Sequence, residues 1–145
     1  MPKFMKSLNN ISRSQSVYRA ARLNVDGICP HHHTFILAIS RMAGCSQDEL
    51  AKEICLNKST VARTLTQLEE KGYVRREENS GDKRSMLVYP TEKMLEILPQ
   101  VRLLAKEWNN LISKDIPKDE LEIFFSVLSR IEEKAKEITT NQEKK

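Results

Sequence analysis

The sequence predicts a mainly α-helical fold that contains one small β-hairpin. Two β-prone segments flank the turn Asn79-Ser80-Gly81-Asp82, which is typical of a hairpin. A helix-start pattern, Ser46-Gln47-Asp48-Glu49, opens the segment before that hairpin. Apolar residues recur every three or four positions in the C-terminal part, as they do along one face of a helix.

The bulk composition is that of an ordinary water-soluble protein. Of its 145 residues 39% are hydrophobic and 30% are charged, and the net charge is +4. No run of about 18 apolar residues occurs and the N-terminus lacks the apolar core of a secretory signal, so we expect a cytoplasmic protein with no membrane partner. Its three cysteines cannot all pair within one chain, and we expect them to be reduced.

Two helices are predicted in the N-terminal part. Residues 7–23 carry a loose apolar stripe, and Arg19 is expected among the arginines on the surface of that helix. Pro30 suits the first turn of a second helix because it lacks a backbone N–H. The buried face of this helix is predicted to run from Phe35 to Ala43, and the helix is predicted to end near Gly44.

The central segment predicts a helix, a tight turn and a second helix. Ser46 and Glu49 form a capping-box pattern, in which each side chain binds the backbone N–H of the other residue. Ala51 is small enough for the second helix to approach closely, and Asn57 is expected to cap that helix. Gly72 is expected to end it. The inward stripe of the second helix consists of Val61, Leu65 and Leu68.

Two long helices are predicted after the hairpin. The first begins near Thr91, and Pro99 is expected to bend it rather than end it, because the apolar stripe continues in phase. That stripe consists of Met94, Leu98, Val101, Ala105, Trp108 and Ile112. The second helix has a narrower stripe with alternating steps of three and four, typical of helix-on-helix packing and often of a subunit interface. That stripe consists of Leu121, Phe124, Leu128, Ile131, Ala135 and Ile138.

The outward face of the second central helix carries side chains suited to DNA. The outward positions are Lys58, Ser59, Thr60, Arg63, Thr64 and Gln67. Arginine can donate two hydrogen bonds to guanine and glutamine can pair with adenine, while hydroxyls reach phosphates or base edges. A solvated helix face is the alternative, but it does not require serine and threonine, which are poor helix formers. The segment 41–90 has nine Lys/Arg and eight Asp/Glu, so DNA binding depends on where individual cations lie.

The hairpin tip provides a second cationic element. Lys83 and Arg84 follow the predicted turn, and we expect them to contact phosphates or enter the minor groove. Asp82 is repelled by phosphate, so we interpret it as a support that holds the Arg84 guanidinium in place. Considered alone, such a tip fits a merely solvated hairpin equally well. Together with the two central helices, it predicts a winged helix-turn-helix.

The stretch from Leu50 to Lys93 resembles the winged-helix core of the MarR (multiple antibiotic resistance regulator) family. The resemblance is specific in LEEKGYVRR and in DKRS followed by a strand, and the flanking helices extend it to about residues 7–140. It implies a single MarR-like domain over residues 1–145. The winged helix-turn-helix lobe is then expected in 30–90, and a helical dimerisation lobe in 1–29 and 91–145.

The resemblance also implies a function. Members are homodimeric transcriptional regulators, most often repressors, that bind palindromic double-stranded DNA operators and respond to small-molecule effectors or redox signals. By this likeness Lys58–Gln67 correspond to the recognition helix and Asp82–Arg84 to the wing tip, and Ser46 is expected among the DNA contacts. The sequence departs from the family at Met94, where many members carry glycine, and at Pro30–His33, where members vary widely.

Two residues near the second helix are candidates for sensing a signal. Cys29 lies at a helix N-terminus, where the dipole favours a thiolate, so a peroxide-sensing thiol and an inert packed thiol are both open. By the family's layout, His33 is expected to line the cleft between the lobes, where relatives bind aromatic acids and drugs. Three consecutive helical histidines point about 100° apart and cannot converge on one ion, so we expect no metal site and no cofactor.

Two other classes of function fit the sequence less well. The chain lacks a nucleophile–base pair, a phosphate-binding loop and paired carboxylates at useful spacing, so we expect no enzyme. A winged helix used as a protein-interaction module without DNA binding is the alternative. That alternative predicts apolar side chains at positions 58–67, where this chain has serine, threonine and arginine.

Overall fold

The computed structural model describes residues 3–23, 25 and 27–143, without the side chains of Lys83 and Glu143. These residues form helices and strands in the order α1 (Phe4–Arg22), α2 (His32–Arg41), β1 (Cys45–Ser46), α3 (Gln47–Ile54), α4 (Lys58–Glu70), β2 (Val74–Asn79), β3 (Asp82–Pro90), α5 (Glu92–Ser113) and α6 (Lys118–Glu143). The predicted fold class, mainly α with a small winged hairpin, is confirmed.

The strands form one antiparallel sheet in the order β1–β3–β2. β2 and β3 form the predicted hairpin, in which Asn79 lies opposite Asp82 and Ser80-Gly81 forms the loop. β1 adds a short edge to the sheet by pairing Cys45 with Val88. The sequence does not predict β1, because two residues are too few to show an alternating pattern.

α2 is shorter than predicted at both ends. It begins at His32, whose N–H donates to the Cys29 carbonyl at 2.9 Å, so a turn precedes the helix where Pro30 had suggested its start. It ends at Arg41, and the Gly44 N–H already donates to Val88 of the sheet at 2.8 Å. Ala43 is consequently exposed and is not part of the buried face.

The core of the first compact unit, residues 1–108, is aliphatic and contains most of the predicted inward positions. Its most deeply buried side chains include Phe35, Ile36, Ile39, Leu50, Val61, Leu65, Leu68, Val88 and Met94. Full burial of each such side chain stabilises the fold by about 1.5–3 kcal/mol. The inward stripe of α4 is confirmed, and it fixes which side of that helix faces outward.

α5 continues through Pro99 and does not end there, as predicted, while the expected bend at Pro99 stays a prediction. Its buried residues are Met94, Leu98, Val101 and Leu104, so Leu104 occupies the place predicted for Ala105. Trp108 is half-buried and Ile112 is exposed. The apolar stripe therefore leaves the core towards the C-terminal end of the helix.

The second compact unit, residues 109–145, contains α6. On the predicted stripe of α6, Phe124 is 51% and Ile138 is 52% exposed. Further exposed apolar side chains lie beside that stripe, at Ile123, Phe125 and Val127. The single chain therefore leaves a wider apolar surface on α6 than the narrow stripe predicted. The division into a lobe of residues 30–90 and a dimerisation lobe stays a prediction.

Candidate nucleic-acid interface

Two side-chain caps fix where α3 and α4 begin. The Ser46 hydroxyl accepts the Glu49 N–H and the Glu49 carboxylate accepts the Ser46 N–H, each at 3.1 Å, which confirms the capping box. Asn57 Oδ1 accepts the Thr60 N–H at 2.8 Å, as predicted. Such a cap contributes about 1 kcal/mol to stability. The Ser46 hydroxyl still has its own proton to donate, so the predicted contact of Ser46 with a phosphate remains open to test.

The far end of α4 is closed by a glycine motif that leads straight into the hairpin. Gly72 has φ +81°, and its N–H donates to the Glu69 carbonyl at 2.9 Å. The next residue, Tyr73, donates to the Leu68 carbonyl at 2.9 Å, and both of these side chains are buried. This double hydrogen bond is the Schellman motif. The predicted end of α4 at Gly72 is confirmed.

The outward side of α4 carries Lys58, Ser59 and Arg63, all of which are exposed. Lys58 Nζ lies 3.2 Å from Asp48 Oδ2, and the Ser59 hydroxyl donates to Asn57 Oδ1 at 2.8 Å. Within the described part of the chain, the Arg63 guanidinium has no ion pair. An exposed ion pair such as that of Lys58 contributes little to stability, so both cations are available to an external anion.

Three predicted outward residues of α4 depart from their expected positions. Thr64 is only 6% exposed, so its predicted position on the outward face is wrong. The buried side of α4 is broad enough to enclose Thr64, which lies between Val61 and Leu68 on that side. Thr60 is half-buried. Gln67 is exposed, but its Oε1 lies 3.5 Å from Nε2 of His32 in α2, so it occupies the flank next to α2.

The wing tip differs from its predicted arrangement in one contact. Asp82 Oδ1 accepts the backbone N–H of Arg84 at 3.0 Å, and among the described residues no ion pair joins that carboxylate to the Arg84 guanidinium. Asp82 therefore supports the backbone of the tip instead of holding the guanidinium, as aspartate commonly does in tight turns. Arg84 is exposed, and the side chain of Lys83 lies outside the described residues.

A second arginine on the hairpin forms a cluster that the sequence did not predict. Arg76 of β2 donates from Nη2 to Glu69 Oε1 at 3.0 Å and to Thr66 Oγ1 at 3.1 Å, and from Nη1 to Gln47 Oε1 at 3.1 Å. Its backbone N–H donates to Glu69 Oε2 at 2.9 Å. These hydrogen bonds lower the pKa of the Glu69 carboxyl. The opposite charges at 69 and 76, on either side of the Gly72 turn, were the available signal.

The candidate sensor region contains one exposed thiol and one buried ring. Cys29 is exposed, and its backbone N–H donates to His32 Nδ1 at 3.0 Å. Because Nδ1 accepts that hydrogen bond, Nε2 carries the ring proton and donates towards Gln67. Burial, followed by the charge of His31, lowers the pKa of His32 to about 4, so the ring is neutral near pH 7.

His33 is completely buried, and neither ring nitrogen has a hydrogen-bond partner among the described residues. Burial lowers its pKa to about 4, and the charge of Arg19 adds to that effect. Arg19 is only 8% exposed, so its predicted surface position is wrong, and burial lowers its pKa too. Arg19 Nε likewise lacks a partner in the described part of the chain. Arg19 and His33, both in the first compact unit, are thus buried with nitrogens that lack hydrogen-bond partners among the described residues.

Across residues 3–23, 25 and 27–143, no cluster of three His, Cys, Asp or Glu side chains is arranged to hold a metal ion. None of the helices described there has both the length and the apolar character needed to cross a bilayer.

Comparison with known proteins gives a consistent family. The MarR family model matches residues 31–86. The HTH-type transcriptional regulator BilQ of Clostridium symbiosum is 25% identical over 116 residues, which are 80% of this chain and 81% of that protein. BilQ of Clostridioides difficile is 27% identical over 86 residues, and this match spans 58% of the length of that protein.

Solved structures extend the match to nearly the whole chain. A crystal structure of MarR has a TM-score of 0.82 and 30% identity, with 95% of this chain and 94% of that chain covered. A mutant MarR from E. coli, complexed with operator DNA, has a TM-score of 0.79 and 22% identity over 90% of this chain and 94% of that one. With the capped helix pair, the wing and these matches together, the chain belongs to the MarR family of transcriptional regulators.

Proposed function

We propose that this protein is a homodimeric repressor that binds a palindromic double-stranded DNA operator in a sequence-specific way. The observation that carries the proposal is the exposed Arg63 on the outward side of α4, whose opposite side is fixed in the core. Arginine in this position can donate two hydrogen bonds to the edge of a guanine. The E. coli MarR that was solved with operator DNA supports the proposal, because it has the same fold.

Contacts with the DNA bases and contacts with the DNA phosphates are assigned to different residues. Arg63 is proposed to contact base edges, with Ser59 beside it, while Lys58 and the Ser46 hydroxyl bind phosphates at the start of the helix pair. Gln67, Thr60 and Thr64 had been predicted to contact DNA as well. The flank position of Gln67 and the burial of Thr64 make those residues weaker candidates. Lys83 and Arg84 are proposed to contact phosphates from the wing.

A second copy of the chain is proposed to cover the apolar surface of α6. Large apolar side chains exposed to water in this number are typical of an interaction site. Exposed apolar residues also lie on α1 and α5, for example Ile11, Leu103 and Leu111. We therefore propose that residues 1–29 and 91–145 form the dimerisation lobe and residues 30–90 the DNA-binding lobe. The dimer then presents two recognition helices about 34 Å apart, one per major groove.

A small-molecule effector is proposed to act at Arg19 and His33. A buried polar group without a partner costs about 1–3 kcal/mol, and a ligand that supplies an acceptor removes that cost. An effector bound there contacts α1 and α2 at once, so it is placed to change the spacing of the two DNA-binding lobes. Oxidation of the exposed Cys29 is the alternative signal. Binding of candidate acids in the presence and absence of peroxide distinguishes the two.

The proposed function also fixes where the protein acts and what it does not do. A regulator needs access to chromosomal DNA, so we propose a cytoplasmic location. We propose no enzymatic activity, since the exposed polar side chains described on α4 and the wing suit binding and include no nucleophile–base pair. The competing function, a protein-interaction module without DNA binding, predicts no salt-dependent affinity for any duplex.

Selection of bound fragments from random duplexes tests the proposal and defines the operator. Fluorescence anisotropy on the selected duplex should then show that Arg63→Ala weakens binding by about 1–3 kcal/mol per half-site and relaxes specificity at one base position. Arg102→Ala, at an exposed arginine of α5, is the matched control and should bind like the wild type. Failure of the wild-type protein to enrich any duplex at low ionic strength would contradict the proposal.

A further inference from the structure

We propose that Arg76 is a positioning residue that holds the wing at a fixed angle to α4. At this angle the wing and α4 can contact the same DNA duplex. This inference depends on the proposed DNA-binding function, and it concerns a side chain that does not itself contact DNA. The Arg76 side chain is only 16% exposed, and its two terminal nitrogens donate three hydrogen bonds to the protein, while the buried Nε has no partner among the described residues.

The guanidinium joins three separate elements of the structure. Gln47 is the first residue of α3, while Thr66 and Glu69 belong to the second half of α4. Arg76 itself is paired with Val88 in the sheet. One side chain of the hairpin is therefore hydrogen-bonded to both helices of the helix-turn-helix. Both Glu69 oxygens accept from Arg76, one from its guanidinium and one from its backbone, so the side chain and the strand are held together.

Because Arg76 lies far from the tip of the hairpin, a small rotation of the hairpin about Arg76 moves the tip by a large distance. Ser80, in the tip loop, lies four residues beyond Arg76, which is about 13 Å along an extended strand. A tilt of about 10° at Arg76 therefore moves the tip by about 2 Å. Hydrogen bonds and ion pairs to phosphate lose most of their strength over such a distance. β1 pairs only with Leu87 and Val88, so the outer part of the hairpin has two strands, which are weak by themselves, and an anchor at its base helps to keep the tip in place.

The chemistry of the cluster requires arginine. Its planar fork can donate in different directions to three acceptors at once, whereas lysine donates from a single nitrogen. The Thr66 hydroxyl fits the same scheme, because it accepts from Arg76 and donates its own proton to the Ala62 carbonyl at 2.9 Å. These two hydrogen bonds also hold the Thr66 side chain of α4 in place. On the other flank, the contact of Gln67 with His32 is longer, at 3.5 Å.

A double-mutant cycle on the full-length protein tests the proposal. DNA affinity is measured by anisotropy for Arg76→Lys and Arg84→Ala, alone and together, on the duplex selected by the wild type. We expect Arg84→Ala to weaken binding about tenfold in the wild-type background and less than threefold in the Arg76→Lys background, because the misplaced tip no longer reaches DNA. Arg63→Ala is the control, and it should cost the same factor in both backgrounds.

The outcomes separate this proposal from the function on which it rests. An equal loss from Arg84→Ala in both backgrounds would overturn the positioning role, since the wing would then be in place without the cluster. A wild-type protein that binds no duplex would instead overturn DNA binding, and the positioning role with it. If Arg76→Lys fails to fold, as judged by circular dichroism, Thr66→Val and Glu69→Gln replace it. Each removes one contact of the cluster at nearly constant volume, and each should reduce the Arg84→Ala effect.

Discussion

Removal of the Arg84 guanidinium measures how much the wing contributes to DNA binding. Arg84 is exposed, and no acidic group in the described part of the chain pairs with its side chain. Asp82 holds the backbone N–H of Arg84, so Arg84→Ala removes the charge and keeps the turn. Each cation that neutralises a phosphate adds about 0.9 to the slope of log affinity against log salt concentration. Since the proposed two-fold dimer has two wings, the variant should lose about 1.8 of slope.

The change in slope translates into a measurable difference in affinity. Between about 50 and 200 mM salt, the wild type should lose about 12-fold more affinity than Arg84→Ala. Fluorescence anisotropy across that range measures both slopes, and Arg102→Ala controls for the loss of one arginine elsewhere. An unchanged slope would remove Arg84 from the phosphate contacts. A loss of only about 0.9 would mean that one wing binds at a time, which contradicts symmetric docking.

Three further predictions concern the fold, the dimer and the buried histidine. Gly72→Ala should cost about 1–2 kcal/mol of unfolding free energy in chemical denaturation, because φ is +81° while the added Cβ meets only Lys93 at 3.7 Å. Gly81→Ala, without a positive φ, should be nearly neutral, and equal losses would contradict this reasoning. Leu128→Asp should give monomers without operator affinity in light scattering, whereas the neighbouring Ser129→Asp should stay dimeric. A stable Leu128→Asp dimer would refute the α6 interface. His33 has a folded pKa of about 4 against 6.5 unfolded, so the unfolded chain binds more protons between these values and stability falls as pH falls from 6.5 to 4. The loss is about 3 kcal/mol, and His33→Leu should show a correspondingly flatter pH dependence of unfolding. An unchanged dependence would exclude His33 as its source.

The starts and ends of the central helices could be predicted because their signals are local. Ser46 and Glu49 lie three residues apart, and Asn57 caps an amide three residues further on. The φ of Gly72 depends on its own lack of a side chain. In each case the interacting groups lie within one helical turn of each other, so a short stretch of sequence contains the whole interaction.

The Arg76 cluster could not be predicted in the same way. Gln47 and Arg76 are 29 residues apart, and their contact requires α3, α4 and the sheet to be packed already. The sequence pattern marks both as ordinary polar residues. The same limit applies to β1, whose two residues become a strand only because β3 lies beside them. Contacts of this kind depend on tertiary packing, and local propensity carries no information about them.

The positions of Thr64, Arg19 and His33 share one physical feature. Each is a polar residue on the buried side of its helix. A threonine is tolerated in such a position, because its methyl group can pack and its hydroxyl can donate to a backbone carbonyl one turn away. The buried Arg19 Nε lacks a hydrogen-bond partner among the described residues, which is costly for a charged group, and the Arg19 charge acts on a neutral His33 whose ring nitrogens also lack partners there. A group with two acceptor oxygens, such as a carboxylate, could accept from Arg19 Nε and from the one N–H of the neutral His33 ring, which would relieve part of both costs. A simple helical pattern cannot anticipate the buried pair of Arg19 and His33. That pair is nevertheless the strongest physical reason to expect an effector at this place.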